Sequence, residues 1–231
     1  MKILGIIGGI GPESTVDYYQ RIVAAWRARK NDGSYPPLLI NSINLQQMVA
    51  WFEAGDFVSV TAHVVHELGR LARGGAEFGL MAANTPHIVF DDISRGSPIP
   101  LMSIVEATSR EAQRLGLKKL GLLGTRFTMQ GRFYPEVFAR AGMSIAAPET
   151  AEQSIVHDRY MNELVKGVFR PETRAELLGI VDRLRQRAGI EGVILGGTEL
   201  PLILRDASHD GLPFLDTTRI HVAAAVDRML T

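Results

Sequence analysis

Continuous apolar runs bounded by Gly, Pro or Asn recur at Lys2 to Ile7, Leu38 to Ile43, Phe78 to Ala82, Leu120 to Leu123, Met143 to Ala147, Gly192 to Leu195 and Pro213 to Leu215. Short runs without polar alternation predict parallel strands buried on both faces. Between them the apolar positions take a helical period: Val16, Tyr19, Val23 and Trp26; Val60, Val64, Leu68 and Leu71; Leu177, Ile180, Val181 and Leu184. Such stripes predict helices laying one face on a sheet. Strand alternating with helix predicts the α/β class.

Two composition breaks, Arg95 to Pro100 and His209 to Pro213, divide the pattern. A chain of 231 residues accommodates two lobes of about 100 residues each. The segment after Pro213 holds one strand and one helix, too little for a domain. It is assigned to the first lobe, giving 1–98 plus 213–231 and 99–212.

Charge adds exclusions. Lys+Arg and Asp+Glu are both 25, so net charge is zero, and nothing pulls the chain toward nucleic acid or a membrane. The apolar start, Ile3 to Ile10, is too short to span a bilayer and lacks a small-residue cleavage site, which predicts a buried strand in a cytoplasmic protein. Cysteine is absent, which removes disulfides, thiolate metal sites and any thiol base.

One device occurs twice. Strand Phe78 to Ala82 runs into Ala83-Asn84-Thr85-Pro86-His87, and strand Gly192 to Leu195 runs into Gly196-Gly197-Thr198-Glu199-Leu200-Pro201. Each is an apolar strand, then small residues, then a Thr and a Pro able to open a helix. The expectation is two strand ends facing each other across a cleft, at the carboxyl edges where open α/β sheets take ligands. Two ordinary strand-to-helix turns are the alternative. Gly8 to Thr15 has the look of a dinucleotide loop, but Ser14 replaces the third glycine and strand two ends in Asn41, Ser42 and Asn44 without an acid. A helix start serving a small carboxylate, or a plain tight turn, accounts for it better. His63 and His66 have no third ligand in view, so no metal is expected. No G-x-S-x-G and no P-loop lysine occur. His87, just past a strand end, stands out as a ligand-contacting or acid–base residue.

GGIGPEST at 8–15, ANTPH at 83–87, LLGTRFTMQGRFY at 122–134, IVHDRYMNELVKGVF at 155–169 and LGGTELPLIL at 195–204 together resemble, in order and spacing, the aspartate/glutamate racemase family over nearly the whole chain. The resemblance implies two pseudo-symmetric lobes, each a parallel sheet flanked by helices, with the active site between them. It also implies cofactor-independent racemisation of an amino acid by two cysteines on opposite faces of the substrate, and a homodimer. Here the cysteine positions hold Ala83 and Gly197. Two-thiol racemisation is therefore excluded by composition.

The binding positions are better kept. Asn84, Thr85, Thr125, Thr128 and Thr198 match the family's α-carboxylate cradle, and Lys166 matches a lysine that meets a side-chain carboxylate. The arginine that aspartate-specific members carry after strand two is absent, and Gln46 or Gln47 offers a neutral hydrogen bond instead. Glu199, Glu13 and His87 are the candidate proton carriers. The expectation is a protein acting on, or binding, a small amino acid or related carboxylate with altered acid–base chemistry. The alternatives are a non-catalytic carboxylate-binding protein and an inactivated racemase variant.

Overall fold

The computed structural model describes all residues, Met1–Thr231, and the chain divides into two compact units, Met1–Ile104 with His221–Thr231, and Val105–Ile220. The first runs β1 (Leu4–Gly8), α1 (Pro12–Arg29), β2 (Leu38–Ser42), α2 (Leu45–Ala54), α3 (Phe57–Arg73), β3 (Phe78–Met81), a 3-10 turn (Thr85–Val89), α4 (Phe90–Gly96) and β4 (Leu101–Met102). Its sheet is parallel throughout, in the order β2-β1-β3-β4. β1 and β3 are buried along their whole length, as continuous apolar runs require, and their side chains meet Tyr18, Ile22 and Trp26 of α1. This corrects the expected face of α1. Val16 and Tyr19 point outward, at 55% and 47% exposure, because the i, i+4 series of Tyr18, Ile22 and Trp26 carries the bulk that fills the core.

The second unit runs α5 (Ile104–Arg114), β5 (Lys119–Gly124), α6 (Arg126–Gln130), α7 (Phe133–Arg140), β6 (Ser144–Ala146), α8 (Thr150–Asn162), α9 (Pro171–Ala188), β7 (Gly192–Gly196), α10 (Leu200–Ile203), β8 (Ser208–His209) and β9 (Leu212–Asp216). Its sheet order is β6-β5-β7-β9-β8, parallel except for the short antiparallel edge β8. Leu177, Ile180, Val181 and Leu184 of α9 are all buried in this unit's core, as their period predicts. Helix α11 (Thr217–Leu230) begins in the second unit and ends in the first, where Val222, Ala225, Val226 and Met229 join the core.

Both unit boundaries lie elsewhere than the composition breaks suggest, for reasons of pairing. β4 bonds to β3 through Gly79 and Leu80, which keeps residues 99–104 in the first unit. β9 bonds to β7 through Val193 to Leu195, which places the strand after Pro213 in the second unit, and only the helix from His221 onward returns to the first.

The parallel strands of the two units obey one rule: a first strand flanked by its second on one side and its third on the other. The chain reverses direction across the sheet between β1 and β3, and again between β5 and β7. In open parallel sheets the carboxyl ends at such a switch point form the crevice where small molecules bind. The turns singled out in the sequence are the ones at these points.

Candidate functional site

In the first unit, the turn after β1 is held shut by its own side chains. Gly9, at φ 80°, passes so close to Ile43 that no side chain fits. Thr15 Oγ1 accepts from the Gly9 N–H at 2.8 Å and faces Gly11 O at 3.1 Å. Ser14, fully buried, donates to Gly11 O at 2.8 Å, with Ala82 O at 3.3 Å. These hydroxyls tie the first turn to itself and to the end of β3. Glu13, expected as a proton carrier, is exposed.

The turn after β3 places Ala83 and Asn84 in buried positions and Thr85 half-buried at the start of the 3-10 turn. His87 is buried, with Nδ1 3.2 Å from Asn84 O and Nε2 3.2 Å from the Ile104 N–H. A backbone N–H can only donate, so Nε2 accepts and the ring proton sits on Nδ1, donating to Asn84 O. The ring also stacks on Phe90, centroids 5.0 Å apart. Burial lowers the imidazole from 6.5 to about 4, against the smaller opposing effect of the Asn84 and Ala83 carbonyls. The expectation that His87 carries protons is corrected: both nitrogens are committed to backbone groups, and the ring is a neutral strut. Gln47 is exposed on α2, where its N–H and that of Gln46 bond the Asn44 cap.

In the second unit, Thr125 caps α6: its Oγ1 accepts from the Thr128 N–H at 3.3 Å and lies 3.2 Å from Thr128 Oγ1. Both threonines are buried. The turn after β7 is different in kind. Gly197 is not one of the positive-φ glycines, so its backbone does not demand glycine; the space does. A Cβ there would lie 2.9 Å from both Cζ and Oη of Tyr160, and closer still to Cε2. The Tyr160 ring, on α8, thus occupies the volume that a side chain at position 197 would enter. Tyr160 Oη donates to Glu199 Oε2, and the Thr198 hydroxyl bonds the same oxygen at 3.1 Å. Glu199 and Thr198 are each only 1% exposed, and Tyr160 is 6% exposed. Burial, joined by the charge of Glu199 and the hydrogen bond to it, holds the Tyr160 phenol well above its ordinary 10.

Sequence reasoning missed Tyr160. It lies four residues from Val156 and four from Leu164, the spacing of an ordinary core stripe, and its ring does pack in that core. The available signal was the glycine itself, since a small residue in a close-packed interior implies volume supplied from elsewhere. Lys166 is exposed on a 3-10 turn that ends at Gly167 in the left-handed region. One grouping of metal-ligating side chains exists: Asp182, His209 and Asp210 offer ligand atoms within 4.8 Å of one another. His209 Nε2 and Asp182 Oδ1 are 2.9 Å apart, a distance that an ion pair or hydrogen bond explains by itself. No helix is long and apolar enough to cross a membrane.

The sequence profile of the Asp/Glu/Hydantoin racemase family matches residues 7–225, and the chain belongs to that family. It is 25% identical over 242 aligned positions to the broad specificity amino-acid racemase RacX of Bacillus subtilis (strain 168), covering 99% of this chain and 98% of that one. Among solved structures it resembles a candidate Asp/Glu racemase from Yersinia pestis, with TM-score 0.89, 31% identity and full coverage of both chains. An aspartate racemase homologue from Pyrococcus horikoshii OT3 gives TM-score 0.83 and 33% identity, again over both whole chains.

Proposed function

We propose that this protein binds a small amino acid or a closely related carboxylate and activates its α-hydrogen by oxygen-based acid–base chemistry in place of paired thiols. The observation that carries the reading is Glu199, a buried carboxylate bonded to Tyr160 and Thr198 in the turn where the family places its second catalytic cysteine. Removing an α-proton requires a positioned base, and a buried carboxylate held by two hydroxyls is positioned. Asn84, Thr85, Thr125, Thr128 and Thr198 are proposed as donors to the α-carboxylate, with Lys166 and Gln47 acting at a distal group. The resemblance alone carries two further parts of the proposal, no cofactor and a homodimer, and the short apolar start without a cleavage site carries a third, a cytoplasmic location.

A second reading is favoured by the first unit, where Ala83 has no titratable atom and His87 is locked neutral: a protein that keeps the cradle and has lost turnover. A cradle that binds ground state and transition state alike does not raise a rate. The test is a panel of D- and L-amino acids followed by ¹H NMR in D₂O, with binding measured by calorimetry. Loss of the α-proton signal supports catalysis, saturable binding without exchange supports the second reading, and neither would overturn both.

A further inference from the structure

Composition removes every thiol, and the first-unit turn offers no replacement. Ala83 cannot hold a proton, Glu13 is exposed, and His87 would have to break its bond from the Ile104 N–H before accepting one. In the second unit the situation is reversed. The Tyr160 ring edge fills the place of a 197 side chain, its hydroxyl lies 2.9 Å from where that Cβ would stand, and Glu199 is bonded to the hydroxyl.

Given that the chain activates an α-hydrogen, on which the inference rests, we propose that Tyr160 is the proton carrier, with Glu199 as its proton partner, and that it works from one face of the substrate only. The phenolic O–H breaks and its proton passes to Glu199 Oε2. The phenolate takes the α-proton, and the electron pair of the broken Cα–H bond moves into the substrate carboxylate. The pair then holds two protons and the substrate one added negative charge, so charge and atoms balance. Reversal returns a proton to the same face. Because protons on the pair exchange with water, the product in D₂O is substrate deuterated at Cα with its configuration retained. Inversion would need a second carrier on the opposite face of the substrate, and the position that the resemblance gives to such a carrier holds Ala83. Burial around Tyr160 makes its phenolate, once formed, a stronger base than a solvated one. Thr198, bonded to the same carboxylate oxygen, holds Glu199 in line with the phenol.

The test uses the full chain with the enantiomers of glutamate, aspartate and alanine as probes. α-Deuteration is read by ¹H NMR, configuration by chiral chromatography and affinity by calorimetry. Tyr160→Phe keeps the ring that fills the pocket and removes only the oxygen; Glu199→Gln keeps shape and hydrogen bonding and removes the charge. The expected result is deuteration with retention in the native chain, and at least about 100-fold slower exchange in each variant with affinity changed by less than about 3-fold. Two variants keep the test open should one fail to fold. Undiminished exchange in Tyr160→Phe overturns the assignment while leaving α-hydrogen activation intact. Appearance of the opposite enantiomer overturns the single-faced mechanism. Binding without exchange in the native chain overturns the proposal and leaves a carboxylate-binding protein, and absence of binding overturns α-hydrogen activation as well.

Discussion

The turns after β3 and β7 occupy equivalent places in two sheets whose parallel strands follow one order, yet they spend their polar groups differently. After β3, His87 bonds backbone at both nitrogens, so its ring secures the geometry and has no capacity left for chemistry. After β7, Thr198 and Tyr160 both bond one carboxylate oxygen of Glu199, and the group being served is itself titratable. A buried group satisfied by backbone has one protonation state favoured by its surroundings; a buried group bonded to a second ionisable group is coupled to that group's protonation. Equal topology therefore does not imply equal chemistry.

The largest expected effect comes from rebuilding thiols. Ala83→Cys with Gly197→Cys should give little racemisation of glutamate or aspartate in the native background, because Tyr160 fills the space of the new side chain. Adding Tyr160→Ala should raise the rate at least about 100-fold over the double variant, by chiral chromatography. Strong racemisation by the double variant alone would show that Tyr160 moves aside and that the two turns differ less than their hydrogen bonds suggest.

The His87 strut makes a pH prediction. Its folded value of about 4 lies below the ordinary 6.5, so as pH falls the unfolded chain takes up the proton first. Stability is full above pH 6.5, declines between about 6.5 and 4, and loses nothing further to this group below that; the span is worth about 3 kcal/mol. Carboxylates act in a lower window. Glu152, for example, is held at about 2, because burial, which raises it, is outweighed by hydrogen bonds from Arg187 and Arg183, so its loss begins only below 4.5. Urea unfolding of the native chain and His87→Gln at pH 7 and pH 4.5 should show the decline in the first and most of it missing in the second. Parallel behaviour of the two would mean the ring is not held neutral.

Gly197→Ala should destabilise the chain by about 1–3 kcal/mol through overpacking against Tyr160. Tyr160→Phe in the same chain should not relieve this, whereas Tyr160→Leu should. A urea midpoint unchanged by Gly197→Ala would remove the steric account of the glycine.

Smallest of all, Lys166→Ala should weaken glutamate binding by no more than about 5-fold, since an exposed ammonium contributes roughly 0–1 kcal/mol. Alanine, with no distal group, should bind equally to both forms. A larger, glutamate-specific loss in calorimetry would mean that the exposed lysine closes over the ligand.

Much of the fold is readable in one dimension. The seven long strands, the α3 and α9 faces and the small-residue turns come from apolar runs and helical spacing, because local burial imposes those periods. The two-residue strands β4 and β8 are too short to carry a period, and the unit boundaries depend on β4 and on the partner that β9 takes. The α1 face differs from its expectation because Val16 and Tyr19 satisfy the same spacing rule as Tyr18 and Ile22, and only packing against β1 and β3 separates the two sets.

By itself, the sequence determined the α/β class, the family resemblance and the loss of thiol chemistry, since each depends on residue identity and order alone. Tertiary structure decided which polar residues work and which merely support. His87 and Glu199 look equally suited to acid–base chemistry as letters after a strand. What each can do depends on what lies within hydrogen-bond distance: for His87 the backbone of Asn84 and Ile104, and for Glu199 a tyrosine 39 positions earlier in the chain. Desolvation and hydrogen bonding act through space, and no local pattern along the chain encodes which distant side chain will supply them.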